Sequence, residues 1–474
     1  METARYRGAV GEARPNLVFQ QYYLECLSQA SYLIGDRGTG RAAVVDPRRD
    51  VDEYVADARA EGLTIAHVIE THFHADFLSG HLELAERTGA EIVYGTAAAG
   101  LVDFPIRTVR TGDRIELGAV SIEVRETPGH TPESISLVIL PEPGGPPFGV
   151  LTGDTLFIGD VGRPDLLSAA GESADGLARQ LHRSLREQLL TLPDETKVFP
   201  AHGAGSACGK QLSTETVSTI GEQRRTNYAL APMTEDQFVD AVLEGQSAAP
   251  LYFSFAAHRN REAHEVLEEA PAVAALSLDD VLAHEVTGAV VVDTRDAADF
   301  AAGHLPGAVN VGLGGRFAEY VGEVVVAGTP IVLVTELGFE VEAKVRLARI
   351  GFDDVVGALA DAASALAARP DLVVRSSRLT ASELARRRDE LGGVQVVDVR
   401  GAGEVEATGV IPGAVHIPLA ALVRRLDELD AAAPTVVYCA GGYRSSIAAS
   451  TLRAQGFDDV SDVIGGYGAI AAEG

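Results

Sequence analysis

Thr71-His72-Phe73-His74-Ala75-Asp76-Phe77 sets two histidines and an aspartate within five positions. The run follows the apolar pair Val68-Ile69, which reads as the end of a strand. Imidazole and carboxylate groups gathered at the carboxyl end of a strand are candidate metal ligands. Three further apolar runs end in residues of the same chemistry. Val120 to Val124 leads to Thr127-Pro128-Gly129-His130, a second run to Leu151-Thr152-Gly153-Asp154, and a third to Phe199-Pro200-Ala201-His202-Gly203. Four strand ends thus present His, His, Asp and His on loops, where a rigid scaffold usually carries its reactive groups.

Composition narrows the classes available. The chain has 474 residues, 46% of them hydrophobic, which is material for about three domains. No apolar run approaches the ~18 residues that a membrane span needs. Met1 to Gln20 carries Glu2, Arg5, Arg7, Glu12 and Arg14 and no apolar core, so no secretory signal is expected. Cys26, Cys208 and Cys439 are far apart, which is no disulfide framework and fits a reducing cytoplasm. A formal net charge of -29, with Lys197, Lys210 and Lys344 the only lysines, argues against nucleic acid and anionic membrane as partners.

The four strand-end blocks, in this order, resemble the metallo-β-lactamase fold superfamily over roughly the first half of the chain. The usual pattern there is His-x-His-x-Asp-His, whose aspartate and last histidine help hold a second metal. Phe77 stands at that last position and cannot ligate, so the cluster resembles a one-metal site. Within the superfamily, His72 to Phe77 followed by Ser79-Gly80-His81, with Thr127 to Pro132, Thr152-Gly153-Asp154 and Gly162-Arg163, resembles the persulfide dioxygenases. The resemblance implies an αββα sandwich and a single Fe(II) per chain held by His72, His130 and Asp154. Two histidines and one carboxylate make the facial triad of non-haem iron oxygenases, which leaves positions open for O₂ and a sulfur ligand. His74, Asp76 and His202 would then orient ligands or substrate, or serve structure alone. Arg163 would lie near the substrate. His81, in an expected helix Leu78 to Arg87, reads as positioning that helix, and His182, His258 and His264 receive no role.

The last ~200 residues contain a duplication. Val291-Val292-Asp293-Thr294-Arg295 matches Val396-Val397-Asp398-Val399-Arg400. Pro306-Gly307-Ala308-Val309-Asn310 matches Pro412-Gly413-Ala414-Val415-His416, and Gly351 to Val355 matches Gly456 to Val460. The spacing of about 105 residues is the size of a small domain. Apolar strands alternate with helical stretches such as Leu419 to Leu429, so each copy reads as an α/β unit with a parallel sheet. The copies differ at one loop: Thr335 and Glu340 in the first stand where Cys439 and Arg444 stand in the second.

Cys439-Ala440-Gly441-Gly442-Tyr443-Arg444-Ser445 places a thiol between an apolar strand and a helix, Ser446 to Gln455. Backbone N–H groups, the helix dipole and Arg444 all favour thiolate there. The loop, with Gly465-Gly466-Tyr467, resembles the rhodanese active site. By that resemblance Cys439 carries sulfane sulfur and Arg444 stabilises anionic sulfur, while the copy with Thr335 is architectural. Cys208, after His202 to Ser206, either lines the metal pocket or is a small buried residue, and the same choice holds for Cys26.

The expected architecture is α/β and α+β multidomain: a metallo-β-lactamase-like module over residues 14–260, a Cys-less rhodanese-like domain over 276–370 and an active rhodanese domain over 376–474. Pro250-Leu251-Tyr252-Phe253 is read as a late segment of the first module. The whole chain resembles the fused persulfide dioxygenase–sulfurtransferases. That implies oxidation of a low-molecular-weight thiol persulfide by O₂ to sulfite, and sulfur transfer among persulfide, sulfite and thiosulfate, in a cytoplasmic homo-oligomer. Two other readings are a zinc thioester hydrolase of the glyoxalase II kind with rhodanese copies, which Phe77 disfavours, and a non-enzymatic sulfur carrier, which the intact metal motifs disfavour.

Overall fold

The computed structural model describes residues 4–7, 15–166, 171, 173–390 and 393–473. Arg14 and Gly474, the expected outer limits of the first and last domains, lie outside the described residues. The chain forms two compact units. One comprises residues 1–246 with 253–269, and the other residues 247–252 with 270–474. Of the segment Pro250–Phe253, Phe253 therefore belongs to the first unit, and Pro250, Leu251 and Tyr252 belong to the second. The ring of Tyr252 occupies the space beside Gly322, where an added Cβ would lie 2.4 Å from it.

Strand alternation builds the first unit. In Gln29–Asp36 and Arg41–Val45, Tyr32, Ile34, Ala43 and Val45 point to one face, and Leu33, Ala42 and Val44 to the other. Both faces are apolar because both are covered. One face meets a second sheet, with Phe19, Ile69, Ile122, Leu137, Leu151 and Phe199 joining a single core. The other meets helices Asp52–Ala60 and His81–Thr88 through Tyr54, Ala58 and Leu84. The first sheet has seven strands, from Ala4–Arg7 to Arg107–Val109 in sequence order. The second has six, ordered Ser218–Thr219, Lys197–Pro200, Gly149–Gly153, Ile135–Leu140, Ser121–Glu126 and Arg114–Glu116. Its outer face is covered by Ala174–Arg183 and Glu235–Leu243 through Ala178, Leu181, Phe238 and Val242. Helix, sheet, sheet, helix is the expected αββα sandwich.

The second unit holds two five-stranded sheets with the same strand order. The first runs Ala275–Leu276, Val355–Leu359, Ile331–Val334, Val290–Asp293, Val309–Asn310. The second runs Ser377–Leu379, Val460–Val463, Thr435–Tyr438, Gln395–Asp398, Val415–His416. All pairings within these two sheets are parallel. The duplicated Asp and Arg form the same staple in each copy. Arg295 binds Asp293 (Nη2–Oδ2 2.6 Å) and the carbonyl of Gly303, and Arg400 binds Asp398 (2.6 Å) and the carbonyl of Gly409.

Phe199 joins the sandwich core to the loop that carries His202. Its ring lies 4.6 Å from Phe19 and 5.9 Å from Phe148, and the side chain is fully buried. Phe199→Ala is expected to cost about 3–5 kcal/mol, read as a lowered urea midpoint for the first unit's unfolding transition.

Candidate metal and sulfur-transfer sites

The loops after Thr64–Ile69, Ser121–Glu126, Gly149–Gly153 and Lys197–Pro200 converge at one end of the sandwich. Close tethers hold them together. Ile135 N donates to Thr71 O (2.9 Å) and Ala201 N to Gly153 O (3.1 Å). Gly162 lets its chain segment lie against Asp154, since a Cβ there would meet the Asp154 carbonyl oxygen at 1.8 Å.

Three ligand atoms meet in this space. His72 Nε2 lies 3.8 Å and His130 Nε2 3.4 Å from Asp154 Oδ2. All three side chains are buried, and their ligand atoms lie within 4.8 Å of one another. His72 Nε2 and Asp154 Oδ2 are buried with no hydrogen-bond partner. Such orphaned polar atoms are costly unless something binds them.

The supporting hydrogen bonds fix which nitrogen faces inward. A carbonyl can only accept, so His130 Nδ1 donates to Arg163 O (2.8 Å), which leaves Nε2 as the nitrogen that faces inward. Thr71 Oγ1 donates to Asp46 Oδ2 (2.9 Å) and so receives its proton from His72 Nδ1 (2.9 Å). Burial, and then neighbouring His74, hold the His72 imidazole well below its ordinary pKa, which keeps it neutral. Burial alone would raise the Asp154 carboxyl, but His202 and His72 outweigh it and hold Asp154 well below the usual carboxylate range. Two imidazoles and one carboxylate fit a divalent metal ion.

His202 bridges two carboxylates, with Nδ1 2.8 Å from Asp154 Oδ1 and Nε2 2.7 Å from Asp76 Oδ2. Burial works against its charge, yet Asp154 and Asp76 push its pKa well up. Cys208 lies with Asp76 and His202, and burial, then Asp76 and Asp154, push its thiol up. Cys26 is buried in the turn after Leu17–Leu24. His74 is in a different group, its Nε2 3.2 Å from Asp46 Oδ1 and 3.5 Å from Glu70 Oε2. The buried ring of Phe77 packs 4.3 Å from that of His74. His81 begins its helix at full burial, 4.8 Å from the ring of Phe104. Arg163 contributes its carbonyl to His130, while its guanidinium is held bidentately by Asp165 (2.8 and 2.7 Å).

Sequence reasoning missed several partners. Asp46 takes Thr71 N and Oγ1 on its two oxygens and adopts a left-handed φ of 49°. It ends the apolar strand Arg41–Val45, so the strand-end rule that found Asp154 would also have found it. Asn260 clasps the histidine loop, donating to the carbonyls of His74 and Phe77 at 2.8 Å each and accepting from Ser79 N. Glu133 accepts from Phe73 N (2.9 Å).

In the second unit Cys439 follows strand Thr435–Tyr438 and is buried. Gly442 N donates to its Sγ (3.1 Å), and Ser445 Oγ lies 3.6 Å away. Gly442, with φ of 100°, begins the helix Tyr443–Ala454. The Gly465-Gly466 pair lets the last helix close on the loop. Gly466 has φ of 56°, and a Cβ there would meet Cys439 O at 2.2 Å. Arg444 is held by Glu404 in a bidentate pair (2.6 and 2.7 Å), a carboxylate the sequence reading had not singled out. In the first copy Thr335 Oγ1 donates to Glu336 O (2.9 Å).

The metallo-beta-lactamase superfamily profile matches residues 24–202, and the rhodanese-like domain profile matches residues 277–367 and 380–473. The chain is 34% identical to the solved structure of a metallo-beta-lactamase from Staphylococcus aureus subsp. aureus COL, with a TM-score of 0.67, covering 73% of this chain and 99% of that one. It is 29% identical over 232 residues to persulfide dioxygenase ETHE1, mitochondrial, of Homo sapiens, which is 48% of this chain and 82% of that protein. It is 33% identical over 236 residues to a beta-lactamase hydrolase-like protein of Agrobacterium fabrum, covering 44% of this chain. The chain spans about half the length of that protein and of its Xylella fastidiosa counterparts.

Thr71 links Asp46 to His72, so it tests the support of the triad. Thr71→Val is expected to weaken divalent-metal binding about 10–100-fold with far-UV circular dichroism unchanged, measured by competition with a chromophoric chelator.

Proposed function

The chain belongs to the metallo-beta-lactamase superfamily and carries two rhodanese-like domains, and from this we propose that it oxidises a thiol persulfide and transfers sulfane sulfur. One observation carries the first part: His72, His130 and Asp154 turn two imidazole nitrogens and one carboxylate oxygen, two of them orphaned, into a single buried point. Ferrous iron held there would supply the binding and activation of O₂ beside a persulfide sulfur. The overall change is RSSH + O₂ + H₂O → RSH + SO₃²⁻ + 2 H⁺.

The protein's own contribution is placement and charge. Thr71 and the Arg163 carbonyl set the two imidazole tautomers. His202 keeps Asp154 aligned by taking its other oxygen, and Asp76 in turn steadies His202. Phe77 fills the space beside His74 with a group that cannot ligate, which supports one metal per chain over the two-metal thioester hydrolase reading. The similarity to human persulfide dioxygenase over most of that protein's length supports the same choice.

Cys439 would attack the outer sulfur of a persulfide, breaking its S–S bond and releasing the thiolate of the carrier. Sulfite would then attack the outer sulfur of the Cys439 persulfide, giving thiosulfate and returning the thiol. The Gly442 N–H supports the sulfur anion in both steps. The reverse direction uses the same groups. Among the described residues no helix is long and apolar enough to cross a membrane.

Protein purified without oxygen is expected to carry about one iron per chain. Asp154→Ala should lose that iron and oxygen consumption while keeping sulfur transfer by Cys439. Two zinc ions and no oxygen uptake would count against the dioxygenase.

Cys439→Ser should stop thiosulfate formation and let sulfite accumulate from the same persulfide. Thr335→Ala should leave both products near wild type. Thiosulfate output unchanged in Cys439→Ser would move the carrier role to another cysteine.

A further inference from the structure

Two cations close to the Cys439 loop are each paired with a carboxylate. The Arg444 guanidinium, whose charge reaches Cys439, is paired with Glu404, and Arg316, which directly precedes the first copy's helix Phe317–Val324, is paired with Glu319. Tyr320 and Glu323 on that helix add no positive charge, and burial pushes the Glu323 carboxyl up to about 8. The sulfur is met directly by a backbone N–H at the start of helix Tyr443–Ala454, with Gly442 N at 3.1 Å from Sγ. Such donors work only if held in place, because a hydrogen bond weakens steeply with angle.

Part of what holds that helix start comes from the first copy. Tyr443 Oη shares its proton between the carbonyls of Gly312 (2.6 Å) and Gly314 (3.0 Å). The two alternate carbonyls of the same loop, Leu313 and Gly315, are taken by the guanidinium of Arg346, also in the first copy. One turn along the helix, Ser446 Oγ donates to Asn310 Oδ1 (2.8 Å), and a further turn along Ser450 Oγ accepts from Asn310 N (2.9 Å). Asn310 is itself fixed by bonds from Nδ2 to the carbonyls of Asp293 and Arg295. Residues 443, 446 and 450 are spaced three and four apart, so they line one helix face. Tyr320 packs edge-on against Tyr443, with ring centroids 5.4 Å apart. Apolar packing alone would let the helix slide or turn, whereas these directional bonds fix both its depth and its rotation.

We propose that the Cys-less copy is a positioning part of the sulfur-transfer site, holding the Cys439 loop through Tyr443 on its Gly312–Gly315 loop and through Ser446 on Asn310. This rests on the reading that Cys439 carries sulfur. Tyr443 is a positioning residue, since its hydroxyl does not touch the sulfur.

The test uses the full-length, iron-loaded chain with Tyr443→Phe, Ser446→Ala and the double variant. The readouts are kcat and KM for sulfur transfer from a thiol persulfide to sulfite, and the pH dependence of Cys439 alkylation by iodoacetamide, followed on the Cys439 peptide by mass spectrometry. Tyr443→Phe is expected to lower kcat about tenfold, the worth of one well-placed hydrogen bond. KM should stay within about twofold, since a change confined to kcat marks lost transition-state stabilisation. The alkylation midpoint should move to higher pH. Ser446→Ala, which removes only a hydroxyl, should shift both readouts the same way by less, and oxygen consumption should stay at the wild-type rate in all three. Wild-type kcat and an unmoved alkylation profile in the double variant would overturn the proposal while leaving the carrier reading intact. Sulfur transfer persisting in Cys439→Ser would remove the carrier reading, and the proposal with it.

Discussion

Asp154 divides its two carboxylate oxygens between two neighbours, and the first unit's site depends on that division. Oδ1 takes His202 at 2.8 Å, while Oδ2 faces His72 and His130 without a hydrogen-bond partner. A buried carboxylate is tolerated only where opposite charge or donors compensate it. His202, raised by Asp154 and Asp76 against the pull of burial, provides that compensation on one side. The other side is left with negative charge directed at two imidazole nitrogens. A metal ion completes this balance, whereas a water would leave at least one of three inward atoms poorly matched, since all three are acceptors.

The same division explains why the surrounding loops are so tightly tied. Asp46, Glu133 and Asn260 contribute nothing to the inward point. Each satisfies backbone N–H or carbonyl groups of the histidine loop that the buried position would otherwise strand. The left-handed backbone of Asp46 is a cost accepted for the two bonds it makes to Thr71.

His72, His130 and Asp154 were legible because each closes an apolar strand, and a strand's direction carries its last side chain to a predictable edge. The duplication was legible because both copies repeat the same Asp–Arg staple after the same strand. Asn260 was not legible: it reaches the histidine loop from 186 residues away, and nothing local distinguishes it from a helix-capping asparagine. Glu404 was hidden for the same reason, being 40 residues from Arg444. Helical stretches were found but not their form. Ala178 to Leu190 reads as one amphipathic run, yet it passes from helix Ala174–Arg183 into the wider turns of Ser184–Leu189, where Leu185 and Leu189 still reach the core. Leu419 to Leu429 likewise divides into a helix Leu419–Leu422 and a 3₁₀ turn Leu426–Glu428. Periodicity reports which face is apolar, and these variants keep the face while changing the hydrogen bonds.

The two rhodanese-like copies share their framework and differ at one loop. Both keep the parallel sheet, the strand order and the Asp–Arg staple. At the divergent loop, Thr335 turns its hydroxyl onto the neighbouring Glu336 carbonyl, so its oxygen is a committed donor. Cys439 instead receives an N–H from Gly442, whose φ of 100° is open to glycine and strained for other residues. On the proposed reading, sulfur transfer uses both the thiol and a backbone bent to serve it. Introducing cysteine alone at position 335 would place a thiol where Glu336, Leu337 and Gly338 stand in place of Ala440, Gly441 and Gly442. The first copy's sheet also holds its twin, because Asn310 at its edge bonds Ser446 and Ser450 on the helix Tyr443–Ala454. That contact gives a physical reason for a chain to keep a copy that lacks the cysteine.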